Sequence, residues 1–431
     1  MHRQRSNAIF VGRTRETDIF MRWLADDNAP WILYFHDAVE DKEKRGGVGK
    51  TWLLRECARR ARAAYPDLAI VQIDFFNAVD RDRIVIAEAA VRELQKAFPL
   101  WSPAAFNKAL SEYRAGDYVS GLNPEKDVAD IRIRDSLSSA LFSDLEDLET
   151  QLAENQTALL LFFDTFEMIE DNPVIAVLGL IQTFPDNYHF EHVKVVIAGR
   201  NELDTNHQNW SGRQEEVLDV ALAPFDQEEM LDYIKSESID DQTIQTEELQ
   251  ELYRLTEGRP ILIGLAIDVL NHRTMSLKDL IAVPSRRFEE HLVAQINSLE
   301  NPLNWAVLFM AHAYHRFNMS ILDWLTEKSD LQYVDPVDHE LLLERLPALS
   351  FVRRPGSGDE FVLHDEMRRL VTEHCWSIQD PDHSIREEIS RSMINYCDQQ
   401  DKLDLSEQEY QLYVLIKLYH MLFLDRDKGW A

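Results

Sequence analysis

Arg45-Gly46-Gly47-Val48-Gly49-Lys50-Thr51 constrains this chain more than any other stretch. Before it, Trp31-Ile32-Leu33-Tyr34-Phe35-His36 reads as a short buried strand. After it, Trp52-Leu53-Leu54-Arg55-Glu56-Cys57-Ala58 reads as a helix. Strand, glycine loop and helix is the context in which such a motif cradles phosphate. Glycines turn backbone N–H groups toward an anion with no Cβ in the way. The helix N-terminus adds donors and a partial positive charge. Gly46, Gly47, Val48, Gly49, Lys50, Thr51 and Trp52 are therefore expected to border a nucleotide. Lys50 would reach the β- and γ-phosphates, and the Thr51 hydroxyl would ligate Mg²⁺.

One position departs from the pattern. The motif G-x-x-x-x-G-K-[ST] asks for glycine five residues before Gly49, and Lys44 stands there. Residues 38–45 read as a charged insertion ahead of the glycines. The plain alternative is a glycine-rich turn with no ligand.

A chain of 431 residues exceeds what one hydrophobic core serves, so several domains are expected. The formal net charge of −31 repels nucleic acid and anionic membranes, so neither is an expected partner. An acidic surface kept for solubility accounts for the charge equally well. Cys57, Cys375 and Cys397 are far apart and lack CxxC spacing, which fits a reducing compartment and suggests no zinc site. No apolar run approaches a membrane span, and none follows the N-terminus as a signal peptide would. The expected location is the cytoplasm.

In chain order, Ala8-Ile9-Phe10-Val11-Gly12-Arg13 leads into a helical pattern through Ile19, Phe20, Trp23 and Leu24. Ahead of a phosphate loop, such a segment is placed to fold over adenine, with the Val11 and Gly12 backbones facing the base; a plain helix cap is the alternative. Residues 69–76 read as a second strand, and residues 84–98 as a helix. Proline, glycine and asparagine break the pattern over residues 99–127, which reads as a loose excursion. Helical spacing returns over residues 131–152.

Leu159-Leu160-Leu161-Phe162-Phe163-Asp164 is a run of apolar residues closed by a carboxylate. It describes a fully buried parallel strand whose carboxyl end faces a ligand crevice. Asp164 is there a candidate Mg²⁺ ligand, and Glu167 a candidate to polarise the attacking water. Residues 193–198 form another buried strand, followed by Gly199-Arg200. Arg200 could sense a γ-phosphate or be a surface arginine. Residues 216–221 read as a fifth strand.

Helices follow. Asp226 reads as an N-cap, residues 246–256 as a helix stopped at Gly258, and Pro260 as the start of the next helix. Residues 305–313, 321–328 and 339–346 are three helical patterns. Two strands around a turn at 355–359 come next, as in a winged helix. Residues 335–344 are acidic where a DNA-reading helix would be basic, which points to a structural or regulatory role. From Ile385 the pattern is helical. Its many apolar residues, Tyr410, Tyr413 and Leu422 among them, suggest further helices beyond Ala431.

Val11-Gly12-Arg13, Gly46-Gly47-Val48-Gly49-Lys50-Thr51, Phe163-Asp164-Thr165-Phe166-Glu167, Ala198-Gly199-Arg200, Gly258-Arg259-Pro260 and Leu363-His364-Asp365 occur in this order. The set resembles the STAND class of signal-transduction NTPases, which includes NB-ARC and NACHT proteins. The resemblance implies a P-loop domain over 1–223 with sheet order 5-1-4-3-2. It also implies a helical lid over 224–298, a winged helix over 299–378 and C-terminal helices over 379–431. It implies an ATP/ADP switch with slow hydrolysis that opens and self-associates in the ATP state, answering a protein or ligand trigger. Pro260 would border the nucleotide from the lid, and His364 would reach the β-phosphate of ADP. An ordinary buried histidine is the alternative for His364. Two competing functions are an origin-recognition-like AAA+ ATPase acting on DNA and a non-hydrolysing scaffold with structural ADP.

Overall fold

Three strands are buried along nearly their whole length. They are β1 (Ile32–Asp37), β3 (Leu159–Asp164) and β4 (Val193–Ala198). Continuous burial belongs to interior strands of a parallel sheet covered on both faces. The strands β2 (Ala69–Asp74) and β5 (Val217–Leu222) expose Gln72, Asp74, Asp219 and Ala221, as edge strands do. The sheet runs β2-β3-β4-β1-β5, all parallel, which is the expected 5-1-4-3-2 order read from the other edge.

The computed structural model of the protein describes residues 10–39, 45–75, 83–115, 124–155, 157–168, 191–204, 210, 212–236, 245–271, 275–284, 287–313, 317–328, 338–353, 360–400 and 407–425. The expectations placed on Ala8, Ile9, Lys44 and the turn at 355–359 lie outside those residues. The chain divides into two compact units, Arg13–Ala223 and a second made of Pro224–Ala431 with the stretch ending at Gly12.

In the first unit, side chains alternate between the sheet faces. Ile32, Tyr34, Leu161, Phe163, Val195 and Ile197 share one core with α3 (Arg83–Ala97) and α5 (Pro124–Asn155). Buried Leu137, Leu141, Leu145, Leu148 and Leu152 recur at three- and four-residue spacing along α5 and make its apolar face. Toward the other face, Phe20 of α1 (Thr14–Ala25) meets Phe162 with ring centroids 6.1 Å apart. There α2 (Lys50–Ala64) packs on β3 and β4 through a face that includes Leu53, Leu54, Ala58 and Ala61.

The loose excursion expected over 99–127 is corrected. A helix, α4 (Ala104–Ala115), stands within it, and α5 already begins at Pro124. The physical reason is a cap from far along the chain. Asp144 accepts hydrogen bonds from the Phe106 and Ala105 amides at 2.7 and 3.2 Å, and its backbone carbonyl accepts from the Trp101 indole at 2.8 Å. Trp101, Phe106 and Leu110 then supply the buried face. A local reading of proline and glycine sees none of this.

The second unit begins with helices Gln227–Ser236, Thr246–Thr256 and Pro260–Asn271. Asp226 and Glu229 form a reciprocal capping box at the first. Gln245 and Glu248 do the same at the second. Further along, helices Leu303–His312, Met319–Lys328 and His339–Arg345 accompany a small antiparallel sheet of β6 (Phe317–Asn318), β8 (Glu360–Leu363) and β7 (Val352–Arg353), in that order. This is the winged-helix arrangement, with β6 an addition to the strands read from sequence. Helices Ser384–Gln400 and Glu407–Leu424 pack on each other at the end. One continuous core runs from Phe225 to Ile416.

Candidate nucleotide site

The carboxyl ends of β1, β3 and β4 lie side by side, where the strand order reverses and where ligands of open α/β sheets bind. The glycine loop joins β1 to α2 at this edge. Gly46, Gly47 and Gly49 have φ of 119°, 71° and 92°, values that a side chain would strain. A Cβ built on Gly49, the N-cap of α2, would meet nothing within 4 Å. One built on Gly46 would lie 3.6 Å from Arg200 Cζ. The loop is thus an open cradle of backbone at a helix N-terminus.

Three contacts fix that loop. Val48 is buried in the core. Arg13, itself 3% exposed, donates from its guanidinium to the Val48 carbonyl at 2.7 Å. Arg45 donates to the Val39 carbonyl at 2.8 Å and to Asn201 Oδ1 at 3.1 Å, tying the loop to the segment after β4. Gly199 makes room there, because a Cβ would come within 2.7 Å of the Tyr34 hydroxyl, which donates to the Asn201 carbonyl.

Lys50 is the first residue of α2, and its Nζ lies 2.9 Å from Asp37 Oδ2. Asp37 ends β1 and is wholly buried. Thr51 is half-buried, whereas Trp52 is exposed with the Arg55 guanidinium 5.5 Å above its ring. Beside Asp37, His36 pairs with Asp219 at 3.2 Å. Burial pulls the His36 pKa down, but the hydrogen bond and charge of Asp219 outweigh it and hold it above the ordinary value.

Asp164 ends β3 in register with Asp74 of β2. Thr165, at φ 61°, links them. Its amide donates to Asp164 Oδ1 at 2.9 Å and its hydroxyl to Asp74 Oδ1 at 2.7 Å. Glu167 then meets Arg200 at 2.9 Å. The first unit therefore gathers Arg13, Gly46 to Trp52, Asp164, Glu167 and Arg200. Asp37, Asp74 and Arg45 are the members sequence reading missed. A strand-terminal acid facing the loop lysine was the available signal for Asp37.

The remaining expected residues belong to the second unit. Val11 is half-buried, and Gly12, at φ 72°, lies against Phe225 and Glu229. Pro260 opens its helix. Arg259 is buried and pairs with Glu289 at 2.8 Å and Glu366 at 2.9 Å. His364 caps the helix Asp365–Leu370, its Nδ1 accepting from the Glu366 amide at 3.3 Å. Arg259 thus ties the start of one helix to the start of another within this unit.

A phosphate chain fits the residues present. The cradle is open, a lysine stands at its rim, and a hydroxyl and carboxylates lie on neighbouring strand ends. The loop and sheet order define the fold as a P-loop NTPase core, followed by helical lid and winged-helix regions.

No protein-family model matches the chain, and no curated protein matches it. Among solved structures, the Walker-type ATPase PABY2304 of Pyrococcus abyssi is 16% identical, with 86% of this chain and 99% of that chain covered at a TM-score of 0.40. The Aeropyrum pernix ORC2 protein in its ADPNP–ADP complexes is 15% identical, with 90% and 97% covered at 0.39. The Aeropyrum pernix ORC1 protein in complex with DNA is 14% identical, with 87% and 94% covered at 0.36. All are distant, so the fold assignment rests on the strand order and the loop. Of the STAND resemblance, the P-loop NTPase fold stands on the strand order and the loop, and the STAND assignment itself does not follow from these findings.

Proposed function

We propose that this chain is an ATP-binding switch built on an AAA+ type P-loop core, with slow hydrolysis and a nucleotide-dependent change in arrangement and self-association. The observation that carries the reading is the convergence of the glycine loop, Lys50, Asp164 and the Glu167–Arg200 pair at adjoining strand ends. In this reading the loop amides and Lys50 hold the phosphates. Thr51 and Asp164 are the candidate Mg²⁺ ligands. Among the described residues, no group of three or more His, Cys, Asp or Glu side chains is arranged to hold a metal. Few protein ligands suit Mg²⁺, which keeps waters and phosphate oxygens in its shell. When bound, that ion would neutralise charge developing on the phosphates. Glu167 would take a proton from the attacking water, and Arg200 would hold Glu167 in place. Val11, Gly12, Pro260 and His364 are the candidates for reporting nucleotide state to the second unit.

The output is proposed in two forms. A signalling switch of the STAND kind suits the charge of −31. An origin-recognition-like ATPase acting on DNA is suggested by the winged-helix arrangement. Light scattering after size exclusion, with ADP and with a non-hydrolysable ATP analogue, tests the switch: a larger species with the analogue alone is expected. An unchanged mass with both, despite binding, would leave the scaffold reading in its place. Salt-sensitive binding of a labelled DNA duplex would select the second form over the first.

A further inference from the structure

Asp37 is an unusual neighbour for a phosphate-binding lysine. It is wholly buried at the end of β1, and its Oδ2 holds Lys50 Nζ at 2.9 Å. Its Oδ1 is also buried and accepts no hydrogen bond among the described residues. Other charges nearby are committed elsewhere: Arg45 to Val39 and Asn201, His36 to Asp219. The carboxylate therefore depends on Lys50 for its compensation. A buried carboxylate with one partner is held strongly by that partner. The same ammonium is the group the proposed function asks to meet a polyanion.

We propose that Asp37 is an affinity-setting residue that competes with the nucleotide's phosphates for Lys50. The inference rests on the reading of the glycine loop as a nucleotide site. Lys50 carries three donors and could touch both anions. Even so, phosphates brought to Lys50 come close to a buried carboxylate, and like charges in a desolvated site repel. Asp37 thereby weakens binding of diphosphate and triphosphate alike, and its removal strengthens it. A carboxylate that merely oriented Lys50 would have the opposite signature, since its loss would loosen the lysine and weaken binding.

The test is calorimetric titration of ADP with Mg²⁺ into the full chain, after nucleotide is stripped by dialysis against chelator. Native protein, Asp37→Asn and Lys50→Met are compared. Asp37→Ser removes the same charge with less steric and hydrogen-bond demand, in case asparagine is not accepted at a buried position. Circular dichroism melts establish that each variant is folded. The expected result is ADP binding roughly tenfold or more tighter in Asp37→Asn and Asp37→Ser than in native protein, and lost in Lys50→Met. Binding by Asp37→Asn alone, with none detectable in native protein, supports the proposal further. Unchanged or weaker binding in both neutral variants, while native protein binds, overturns the competition and leaves the nucleotide reading standing. No binding by native protein or any variant overturns both.

Discussion

Arg200 Nε and Glu167 Oε1 are ion-paired at 2.9 Å, joining the segments that follow β4 and β3. The pair brings together two residues that lie on separate strand ends and that sequence reading treated separately. It makes Glu167 an oriented acid at the rim of the glycine loop, because a Cβ on Gly46 would sit against the same guanidinium.

Glu167→Gln should therefore bind ATP but turn it over about 10²–10⁴-fold more slowly, the usual worth of a general base. Phosphate release and ATP titration on the same preparation check this. Equal turnover in native and Glu167→Gln protein would remove Glu167 from the mechanism.

Lys50→Met should destabilise the first unit even without nucleotide. It leaves the Asp37 carboxylate buried and uncompensated, at a cost of about 3–5 kcal/mol. For a unit of this size, each kcal/mol lowers the melting temperature by about 2–4 °C. Asp37→Asn introduced into Lys50→Met should recover most of that loss. Thermal melts of the four proteins give the coupling, and additive effects would mean that the pair contributes nothing.

Two glycines should respond differently to alanine. Gly258 has φ 69°, and a Cβ there would sit 2.2 Å from the Phe225 carbonyl oxygen. Gly212 has φ 80°, but a Cβ there would meet nothing within 4 Å. Gly212→Ala should cost about 1–2 kcal/mol from backbone strain alone. Gly258→Ala should cost clearly more, because the Gly258 carbonyl also accepts from the Phe225 amide at 2.8 Å and that contact must shift. Denaturant melts distinguish the two, and equal costs would contradict the packing described for Gly258.

Acid should weaken the second unit through its buried histidines. His312 Nε2 lies 2.8 Å from Ser390 Oγ, and His420 Nδ1 lies 3.0 Å from the same oxygen. Burial, and then the Arg386 cation, push the His312 pKa down to about 3. Burial, and then His312, push His420 well below its ordinary value. Both stay neutral in the folded chain where the unfolded chain protonates near pH 6.5. Stability is therefore full above that pH and falls as pH drops toward the folded values. Each histidine contributes about 1.4 kcal/mol per pH unit to the slope. His312→Gln should lower the slope measured by denaturant melts between pH 6 and about 4. An unchanged slope would place the acid sensitivity elsewhere.

The sheet was legible because buried parallel strands announce themselves. Leu159–Phe163 is an unbroken apolar run closed by Asp164, and Val193–Ala198 is apolar but for Lys194, as interior strands of a covered parallel sheet are. The glycine loop was legible from Gly46-Gly47-Val48-Gly49-Lys50-Thr51 set between a strand and a helix, despite Lys44 at the motif's first glycine position. The helix Ala104–Ala115 was not, because its cap, Asp144, lies far along the chain and proline and glycine dominate the local signal. Nor was the Asp37–Lys50 pair legible, since strand end and helix start are brought together only by the fold. Arg13 shows the same limit. Its sequence neighbours suggested a base-facing backbone, while its side chain reaches the Val48 carbonyl. Motif order points to the loop and strand-end residues of the first unit, but the contacts among them depend on tertiary packing.

The most direct measurement is the nucleotide content of the purified chain. Native protein and Lys50→Met are denatured, and any released nucleotide is identified by chromatography and quantified against protein. The account predicts ADP or ATP close to one per chain from native protein, or its uptake on incubation with Mg²⁺ and ATP, and almost none from Lys50→Met. No nucleotide from native protein, and none taken up on incubation by native protein or by Asp37→Asn, would contradict the claim that the Gly46–Thr51 loop is a nucleotide site.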